Sequence, residues 1–320
     1  MAKKIDALVE RIRNHRCYNH PVFQHWAQTG PSNEVVGALF HQIRSFCDAT
    51  RPGGRFPEAL RVHQLSQEST LIQEIVESEE NHGPELATMA GYIVNRAAGR
   101  QVFTELYDQN AVEAGLKEFS DRLLGALPGY EAETGLLAQT RKARSAFDGR
   151  QETDRESTIR NLGTALALEM ISNRQLIPGE KACLVDSELY GASLEDKEMH
   201  YLLEHWGEIG AERQHEENAI AAVGSVLNED TEELIVEGAD AFLNSLVTLW
   251  DVLDSALLAS GVLPGRIGVD VVRGGIGLVR GTNRGVRVLA GRVHDDLGVR
   301  LDVREVVADL NRPRSSRWRT

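Results

Sequence analysis

The sequence predicts an all-α protein, a helical bundle followed by a Gly/Arg-rich C-terminal extension. Over most of the first 260 residues, apolar side chains recur at intervals of three and four, which is the spacing of one helical face. Start signals accompany these segments, since Ser193–Asp196 resembles a capping box and Pro84 and Pro178 suit first-turn positions. We therefore expect residues 1–260 to form one helical domain.

The periodic segments are separated by turn residues, at 51–54, 128–129 and 178–179. Between these breaks we predict helices over residues 4–15, 20–28, 33–49, 57–80, 85–98, 110–126, 131–147, 153–174, 178–188, 193–227 and 230–260.

The composition changes after Gly261. Ten glycines fall between Gly261 and Gly298, interleaved with Val, Ile, Leu and Arg, and this is poor helix material. The run at 274–281 lacks the Lys-Ser/Thr of a phosphate-binding loop. We expect residues 261–320 to be a separate basic extension, with room for one short helix over residues 303–311.

The charge is unevenly distributed. The whole chain has a formal charge of -13, yet residues 264–320 contain 12 Arg, no Lys and only 6 acidic residues. An acidic body argues against general nucleic-acid binding, whose affinity depends on basic contacts to phosphate. The C-terminal extension is the one part of the chain whose positive charge would favour the binding of an anion.

The three cysteines, Cys17, Cys47 and Cys183, are widely spaced and form no CxxC pair, so reduced thiols are the simplest interpretation. The N-terminus lacks the apolar stretch of a signal peptide, and nowhere do eighteen apolar residues run together. These features predict a cytoplasmic protein that is not in a membrane.

Glu169 is the most informative residue. It lies in the run Thr164–Ile171, with apolar neighbours on every side of a predicted helix. Burying an ionised carboxylate is unfavourable unless a cation, hydrogen bonds or a metal compensates the charge. Glu169 therefore requires a partner.

Acidic and imidazole residues elsewhere provide candidates at helical spacing. Glu208, Glu212 and His215 would share one face of the predicted 193–227 helix, with His205 on the same stripe, and Glu79 and His82 are again three apart. Bundle proteins that hold two iron or manganese ions use carboxylates and Glu-x-x-His pairs in this way. The candidate metal ligands are Glu79, His82, Glu169, Glu208, Glu212 and His215, with His205 as the alternative imidazole.

A simpler interpretation needs no metal. Glu169 would pair with an arginine such as Arg160 or Arg174, and Glu208 and Glu212 would form a solvated face. The chain would then be a helical interaction protein, with the basic extension binding a partner. Spacing alone does not decide between the two interpretations.

The other histidines carry less chemistry. His20, His25 and His41 fall on N-terminal helices with aromatic neighbours, where packing is the expected role. A heme oxygenase would use His20 or His25 as the axial ligand, but it would leave Glu169, Glu208 and Glu212 without a task. No Gly-x-Ser-x-Gly elbow or activated cysteine suggests a nucleophilic enzyme.

The pattern resembles a known family, the heme-oxygenase-like diiron oxidases, over about residues 15–225. The resemblance rests on residues 20–23, on residues 56–57 and on the predicted helix between them, which contains Phe40, Gln42, Phe46 and Cys47. It also rests on the carboxylate and histidine positions described above. The family has a His-x3-Asp-x2-His set on its late helix. This chain has Glu208 and Glu212 at the first two positions, and only His215 matches outright.

The resemblance implies a heme-oxygenase-like bundle, two Fe(II) ions, dioxygen as co-substrate and oxidation of a small aliphatic substrate. Substrates of the family include amino acids and fatty acids in natural-product biosynthesis, and the length and basic extension resemble its azetidine-forming amino-acid oxidases. An amino-acid carboxylate would need a cation, for which Arg160, Arg174 and Arg213 are candidates. We also expect a homodimer; the electron donor is not indicated.

Overall fold

The computed structural model describes residues 2–51, 55–79, 82–207, 210–260, 270–272 and 276–278, with the backbone alone for residues 2, 3, 82, 270–272 and 276–278. The chain divides into two compact units, Met1–Gly265 and Arg266–Thr320. The boundary expected after residue 260 falls close to this division.

The described part of the first unit is helical, as the sequence predicts. Its α-helices are α1 (Ala2–Arg13), α2 (Val22–Thr29), α3 (Asn33–Thr50), α4 (Arg55–Val62), α5 (Ser66–Ser78), α6 (His82–Ala98), α7 (Gln109–Leu124), α8 (Ala138–Ser145), α9 (Arg155–Ile171), α10 (Ile177–Lys181), α11 (His200–His205), α12 (Ala211–Val226) and α13 (Glu232–Ser260). Short 3₁₀ turns cover Arg16–Asn19, Asp148–Gln151 and Lys197–Met199, and π turns cover Ser172–Leu176 and Ala182–Asp186.

Helix α9 is the central element. Asp154 caps its N-terminus by accepting a hydrogen bond from the Ser157 amide, and every residue from 161 to 171 is buried. Such a helix, apolar on all sides, belongs in the core of a domain. Any polar side chain in this stretch is therefore held inside the protein.

Helices α9 and α13 cross at very short distance. A Cβ atom added at Gly163 would overlap the carbonyl oxygen of Ile235, and one added at Gly238 would overlap that of Arg160. The Thr164 hydroxyl donates to the Gly238 carbonyl oxygen at 3.2 Å across the same contact. Glycine at both positions permits this approach, which fixes the position of α9.

Helix α13 is long and apolar enough to cross a membrane by length and composition alone, but half of its most apolar stretch is buried within the protein. Its exposed edge forms ion pairs with the N-terminal helices, through Asp240 to Arg11 and Asp251 to Arg16. We interpret α13 as a core helix. Four of its large apolar side chains are buried within the single chain: Phe242, Leu246, Leu249 and Trp250.

Three predicted helices are shorter than expected because turns interrupt them. The 57–80 segment breaks at residues 63–65, where Gln64 has a left-handed backbone with φ of 63°. The 131–147 segment begins with a turn closed by a bridge between Glu131 and Leu136, with Gly135 at φ 73°. The 193–227 helix is wrong as a single element, since α11 ends at His205 and α12 starts at Ala211.

One predicted break does not occur. The Pro178–Gly179 pair was expected to mark a loop, but the chain remains helical from Arg155 to Asp186. Proline removes a backbone donor and clashes with the preceding turn of an α-helix. Here the π turn Ser172–Leu176 precedes it, and the Ile177 amide donates to the Ser172 carbonyl oxygen. The wider turn accommodates the proline without ending the helix.

In the second unit, the described residues form a two-stranded antiparallel pair, β1 (Asp270–Val272) and β2 (Ile276–Leu278), with Val271 opposite Gly277. The extension was expected to be non-helical, and these six residues are strands. The short helix expected over residues 303–311 lies outside the described residues.

The crossing of α9 and α13 generates a stability prediction. Gly163→Ala places a methyl group against the backbone of α13, and we expect it to lower the free energy of unfolding by about 1–3 kcal/mol. The matched control is Gly224→Ala in α12, where the added Cβ meets only Ile5 at 3.9 Å. Alanine should be neutral or stabilising there by a few tenths to about 1 kcal/mol. Urea denaturation of both variants measures the difference, and equal stabilities would contradict the close crossing.

Candidate metal centre

Glu169 lies in the buried part of α9, with 5% of its surface exposed. The two arginines considered as its partners pair with other carboxylates, so neither of them supplies the ion pair expected for Glu169. Arg160 pairs with Glu237 at 2.9 Å, and Arg174 pairs with Glu216 at 3.0 Å. The compensation of Glu169 must come from other groups.

One cation does act on Glu169. Arg150 is buried, and its positive charge lowers the pKa of Glu169. Its guanidinium donates to the Thr50 carbonyl oxygen and lies 4.6 Å from the centre of the Phe147 ring. Two of its nitrogens, Nε and Nη2, have no hydrogen-bond partner among the described residues. Arg150 had no signal in the sequence, because its burial depends on the 3₁₀ turn that carries it.

Helix α12 supplies a carboxylate and an imidazole. Glu212 and His215 are three residues apart near the start of the helix, and both are buried. His215 Nδ1 lies 3.7 Å from Glu169 Oε2 and 3.5 Å from Glu79 Oε1. The Glu-x-x-His pair at 212–215 therefore faces Glu169, as its spacing suggested.

His205 reaches the same place by a different route from the one expected. A continuous helix would keep His205 about 10 Å along the axis from Glu212, but Gly207 with φ of 90° turns the chain between α11 and α12. A Cβ at Gly210 would also overlap the His205 carbonyl oxygen. The break brings His205 Nε2 to 3.6 Å from Glu212 Oε1.

The orientation of the His205 ring is set by the backbone. Its Nδ1 lies 2.6 Å from the Tyr201 carbonyl oxygen, which only accepts, so Nδ1 carries the proton and donates. In the neutral ring, Nε2 then presents a lone pair toward the oxygens of Glu79 and Glu212, at 3.7 and 3.6 Å. A lone pair facing two carboxylates is stabilised by a cation between them, either a proton or a metal ion.

Glu79 closes the group from the end of α5. It is the residue after the last helical turn, and its amide donates to the Ile75 carbonyl oxygen. Its Oε1 is within 3.7 Å of both His205 and His215. Glu79 is thus shared by both imidazoles, and its side chain is less buried than those of Glu169 and Glu212.

Together these side chains form two overlapping groups, Glu79–His205–Glu212 and Glu169–Glu212–His215. Within each group, one ligand atom of each residue lies within 4.8 Å of the others. Ligands bound to one ion at about 2.0–2.2 Å can be up to about 4.4 Å apart, so each group has nearly the dimensions of a coordination shell. Glu212 belongs to both groups, as a carboxylate between two ions would.

Burial and mutual repulsion change the acidity of these carboxylates. The pKa of Glu169 is raised to about 8, mainly by burial and further by the charge of Glu79. Burial, followed by the charges of Glu169, Glu79 and Glu180, raises the pKa of Glu212 well above its usual range. Glu212 Oε2 is also buried with no hydrogen-bond partner among the described residues. The donor set and its unmet charge fit a pair of divalent ions.

Two other candidate ligands cannot be placed in this group. Glu208 lies outside the described residues, and the side chain of His82 does too, although the backbone of His82 starts α6. The structure therefore brings together Glu79, Glu169, Glu212, His215 and the alternative imidazole His205.

A cavity adjoins the centre. Glu79, Glu169, His205 and Glu212 lie on its wall. The rest of the wall includes apolar side chains from α3, α6, α9, α11 and the π turn Ser172–Leu176, and a few polar ones: Phe46, Cys47, Leu86, Leu168, Leu176, Tyr201, Asp48, Thr50, Arg51 and Ser172. Arg51 and Tyr201 were not singled out by the sequence, because their position depends on how the helices pack. With a free volume of about 40 Å³, the cavity admits molecules of the size of water or dioxygen beside the centre.

The N-terminal histidines lie apart from this centre. His20 Nδ1 accepts from the Val22 amide and its Nε2 lies 3.2 Å from Asp251 Oδ1, so both ring nitrogens are engaged. His25 pairs with Asp254, and His41 with the Thr134 carbonyl oxygen.

A further acidic group, at Glu85, His200 and Glu204, is largely exposed.

Comparison with known proteins gives no relative: no family model matches the chain, nor does any curated protein or solved structure. Function therefore has to be inferred from the chemistry of the centre.

The raised pKa values predict an unusual pH dependence for the metal-free protein. In the folded protein, Glu169 and Glu180 keep their protons up to about pH 8, because their pKa values are raised to about 8. In the unfolded chain, the same groups lose their protons above about pH 4.5. Their contribution to stability is present below that pH and is lost as pH rises toward 8. We expect the free energy of unfolding to fall by a few kcal/mol, in order of magnitude, between about pH 5 and 8.

Urea denaturation in the presence of a chelator measures this dependence. Glu169→Gln removes one of the groups and should make the decline shallower, whereas Glu156→Gln at the exposed start of the same helix should not. A stability that is constant or rises over this range would contradict the raised pKa values.

Proposed function

We propose that this protein is a non-heme diiron oxidase that uses dioxygen to oxidise a small aliphatic substrate, an amino acid. The observation that carries the proposal is the convergence of three buried or half-buried carboxylates and two imidazoles from α5, α9, α11 and α12 within coordination distance. Carboxylates and imidazoles from separate helices are the ligands of diiron sites in helical bundles.

The choice of iron follows from the donor types. Oxygen and imidazole donors suit Fe(II), whereas a structural zinc site would more often recruit cysteine. The thiol on the cavity wall, Cys47, has its pKa raised well above the usual range by burial and by the charge of Glu180, so it stays protonated. Three carboxylates balance most of the charge of two divalent ions, and this also explains why they are stable together in an apolar interior.

The residues around the ligands fix their positions. The Tyr201 carbonyl oxygen sets the tautomer of His205, and the Tyr201 ring lies 4.4 Å from the imidazole, centre to centre. Arg150 offsets part of the charge of Glu169. Interactions of this kind orient ligands and tune the metal. When bound, the two ions would supply the oxygen chemistry, and the chain supplies orientation.

The cavity wall provides the conditions for oxidising an aliphatic group. Phe46, Leu86, Leu168 and Leu176 limit water next to the centre and offer an apolar surface to a hydrocarbon chain. Leu176 belongs to the π turn Ser172–Leu176, and Ser172 also lies on the wall. Turns of this type are frequent at functional sites.

Arg51 is the candidate for binding a substrate carboxylate. The three arginines considered from sequence do not line the cavity. Each pairs with another carboxylate: Arg160 with Glu237, Arg174 with Glu216 and Arg213 with Glu217. Arg51 does line it, beside Asp48 at 3.0 Å, and Gly83 leaves space for its guanidinium. An arginine binds a carboxylate through two parallel hydrogen bonds.

The heme-oxygenase-like fold and membership of the diiron oxidases remain part of this proposal. His205 supports the proposal. The late-helix set of the family begins with a histidine, this chain has Glu208 at that position, and His205 supplies an imidazole instead. For the heme-oxygenase alternative, His20 has both ring nitrogens engaged, and His25 pairs through Nδ1 with Asp254. A metal-free interaction protein would have to relieve the repulsion among Glu79, Glu169 and Glu212 by protonation alone, and it would give this buried group no use.

Iron loading tests the proposal directly. The full chain, loaded with ferrous iron without oxygen, should bind about two equivalents and give a transient visible band on mixing with oxygen. An aliphatic amino-acid substrate should accelerate its formation or decay. Metal analysis and stopped-flow absorbance measure both properties.

The matched variants are Glu169→Ala and Glu156→Ala, on the buried and exposed parts of α9. Glu169→Ala should abolish the band while the helical circular-dichroism spectrum persists, and Glu156→Ala should retain it. A wild-type protein that binds no stoichiometric iron would refute the proposal, and an intense Soret band would replace it with a heme protein.

Arg51→Met tests the substrate class. Removing a charge-assisted hydrogen bond worth about 1.5–3 kcal/mol should raise KM for an amino-acid substrate by about tenfold to a hundredfold, with a smaller effect on kcat. Arg61→Met, at an exposed position of α4, is the control. The corresponding amine without a carboxylate should be oxidised equally by the wild type and the Arg51 variant, and an equal loss for both substrates would contradict the assignment.

A further inference from the structure

Glu180 is a second buried carboxylate that the metal centre does not explain. It lies in α10 with 2% of its surface exposed. Both carboxylate oxygens are buried and have no hydrogen-bond partner among the described residues. Leaving an ionised group in this state is strongly unfavourable.

No cation of the described chain compensates Glu180. Burial alone raises its pKa to about 8, and no positive side chain acts in the opposite direction. The adjacent Lys181 pairs with Asp186 instead. A buried carboxylate without its own cation suits a cation that arrives with a ligand.

The position of Glu180 relates it to the cavity. Ser172 and Leu176 lie on the cavity wall, and Glu180 follows them at the same spacing of four residues along the helical segment. Burial raises the pKa values of Cys47 and Tyr201, two further wall residues, and the charge of Glu180 adds to both effects. Glu180 therefore lies close behind the wall formed by Cys47, Leu176 and Tyr201.

Glu180 belongs to neither group of ligand atoms at the centre, although its charge raises the pKa of Glu212. Glu180 and Glu169 are eleven residues apart in a segment that stays helical, which corresponds to roughly 15 Å along the axis. Such a separation is several times a metal–ligand bond length and is closer to the length of a small aliphatic molecule.

We propose that Glu180 binds the ammonium group of the substrate, which is then an aliphatic amine or amino acid. The carboxylate accepts hydrogen bonds from the ammonium after a small opening of the wall at Cys47 and Tyr201. The aliphatic chain extends along Leu176 and Leu168 toward the carboxylates of the metal centre. That the bound ammonium belongs to a substrate depends on the proposed oxidase function. The binding of an ammonium group at Glu180 can be tested without metal.

The test uses the metal-free full chain and two probes of equal length, n-pentylammonium and 1-pentanol. At about pH 9, where Glu180 has released its proton and the ammonium is still charged, the wild type should bind the ammonium at least about tenfold more tightly than the alcohol by calorimetry, because only the ammonium replaces the missing cation. Glu180→Gln keeps the shape of the side chain and should bind both probes alike. Glu195→Gln, at an exposed position, is the matched control and should keep the preference.

A second variant, Glu180→Met, repeats the test with an apolar side chain of similar length, and replacing an unpaired buried charge in this way should not prevent folding. Equal binding of the two probes by the wild type, or a preference that persists in both variants, would overturn the inference. So would the loss of an iron equivalent in Glu180→Gln, which would make Glu180 a ligand. A wild type that binds no iron but prefers pentylammonium would refute the oxidase alone and leave the ammonium site standing.

Discussion

The constraint on which this structure depends is the burial of several carboxylates in one apolar interior. Glu169 and Glu212 are almost fully buried and Glu79 adjoins them; the charge of Glu79 raises the pKa of both, and the charge of Glu169 raises that of Glu212. Within the part of the chain that the structure describes, Arg150 is the cation whose charge lowers the pKa of Glu169. Such an arrangement is stable only if protons or metal ions hold the charges together. Natural cores rarely keep an arrangement of this kind without a use for it, because apolar residues of the same volume would be as stable or more stable.

The surrounding fold serves to hold these groups at fixed distances. The crossing of α9 and α13 at Gly163 and Gly238 fixes the helix that carries Glu169. The turn at Gly207 brings His205 back toward α12, which a straight helix would not allow. Both features depend on glycine, one for close approach and one for a left-handed backbone. The same residues that weaken local helix propensity therefore provide the geometry of the centre.

Sequence predicted the helices well, and it predicted the site through one residue above all. The apolar periodicity located most helices, and Glu169 was recognisable because a carboxylate interrupted an apolar run. Sequence failed where backbone conformation decided the outcome: Pro178 did not end the helix, since a π turn precedes it, and the 193–227 segment broke at its glycines. His205 consequently joined the group through a turn rather than through helical spacing. Arg150 and Glu180 were missed because isolated charged residues carry no periodic signal of burial.

The two sets of buried charge suggest how the protein divides its tasks. At the centre, imidazoles and carboxylates from separate helices face one another, so an ion bound there must displace the protons that the raised pKa values retain. At Glu180, a single carboxylate has no hydrogen-bond partner among the described residues and belongs to none of the candidate metal groups found there, which suits one ammonium group better than a metal. Arg51 adds a positive group on the wall of the same cavity. A molecule with separated positive and negative ends, and an apolar chain between them, would satisfy both charges while placing a carbon atom beside the metal ligands.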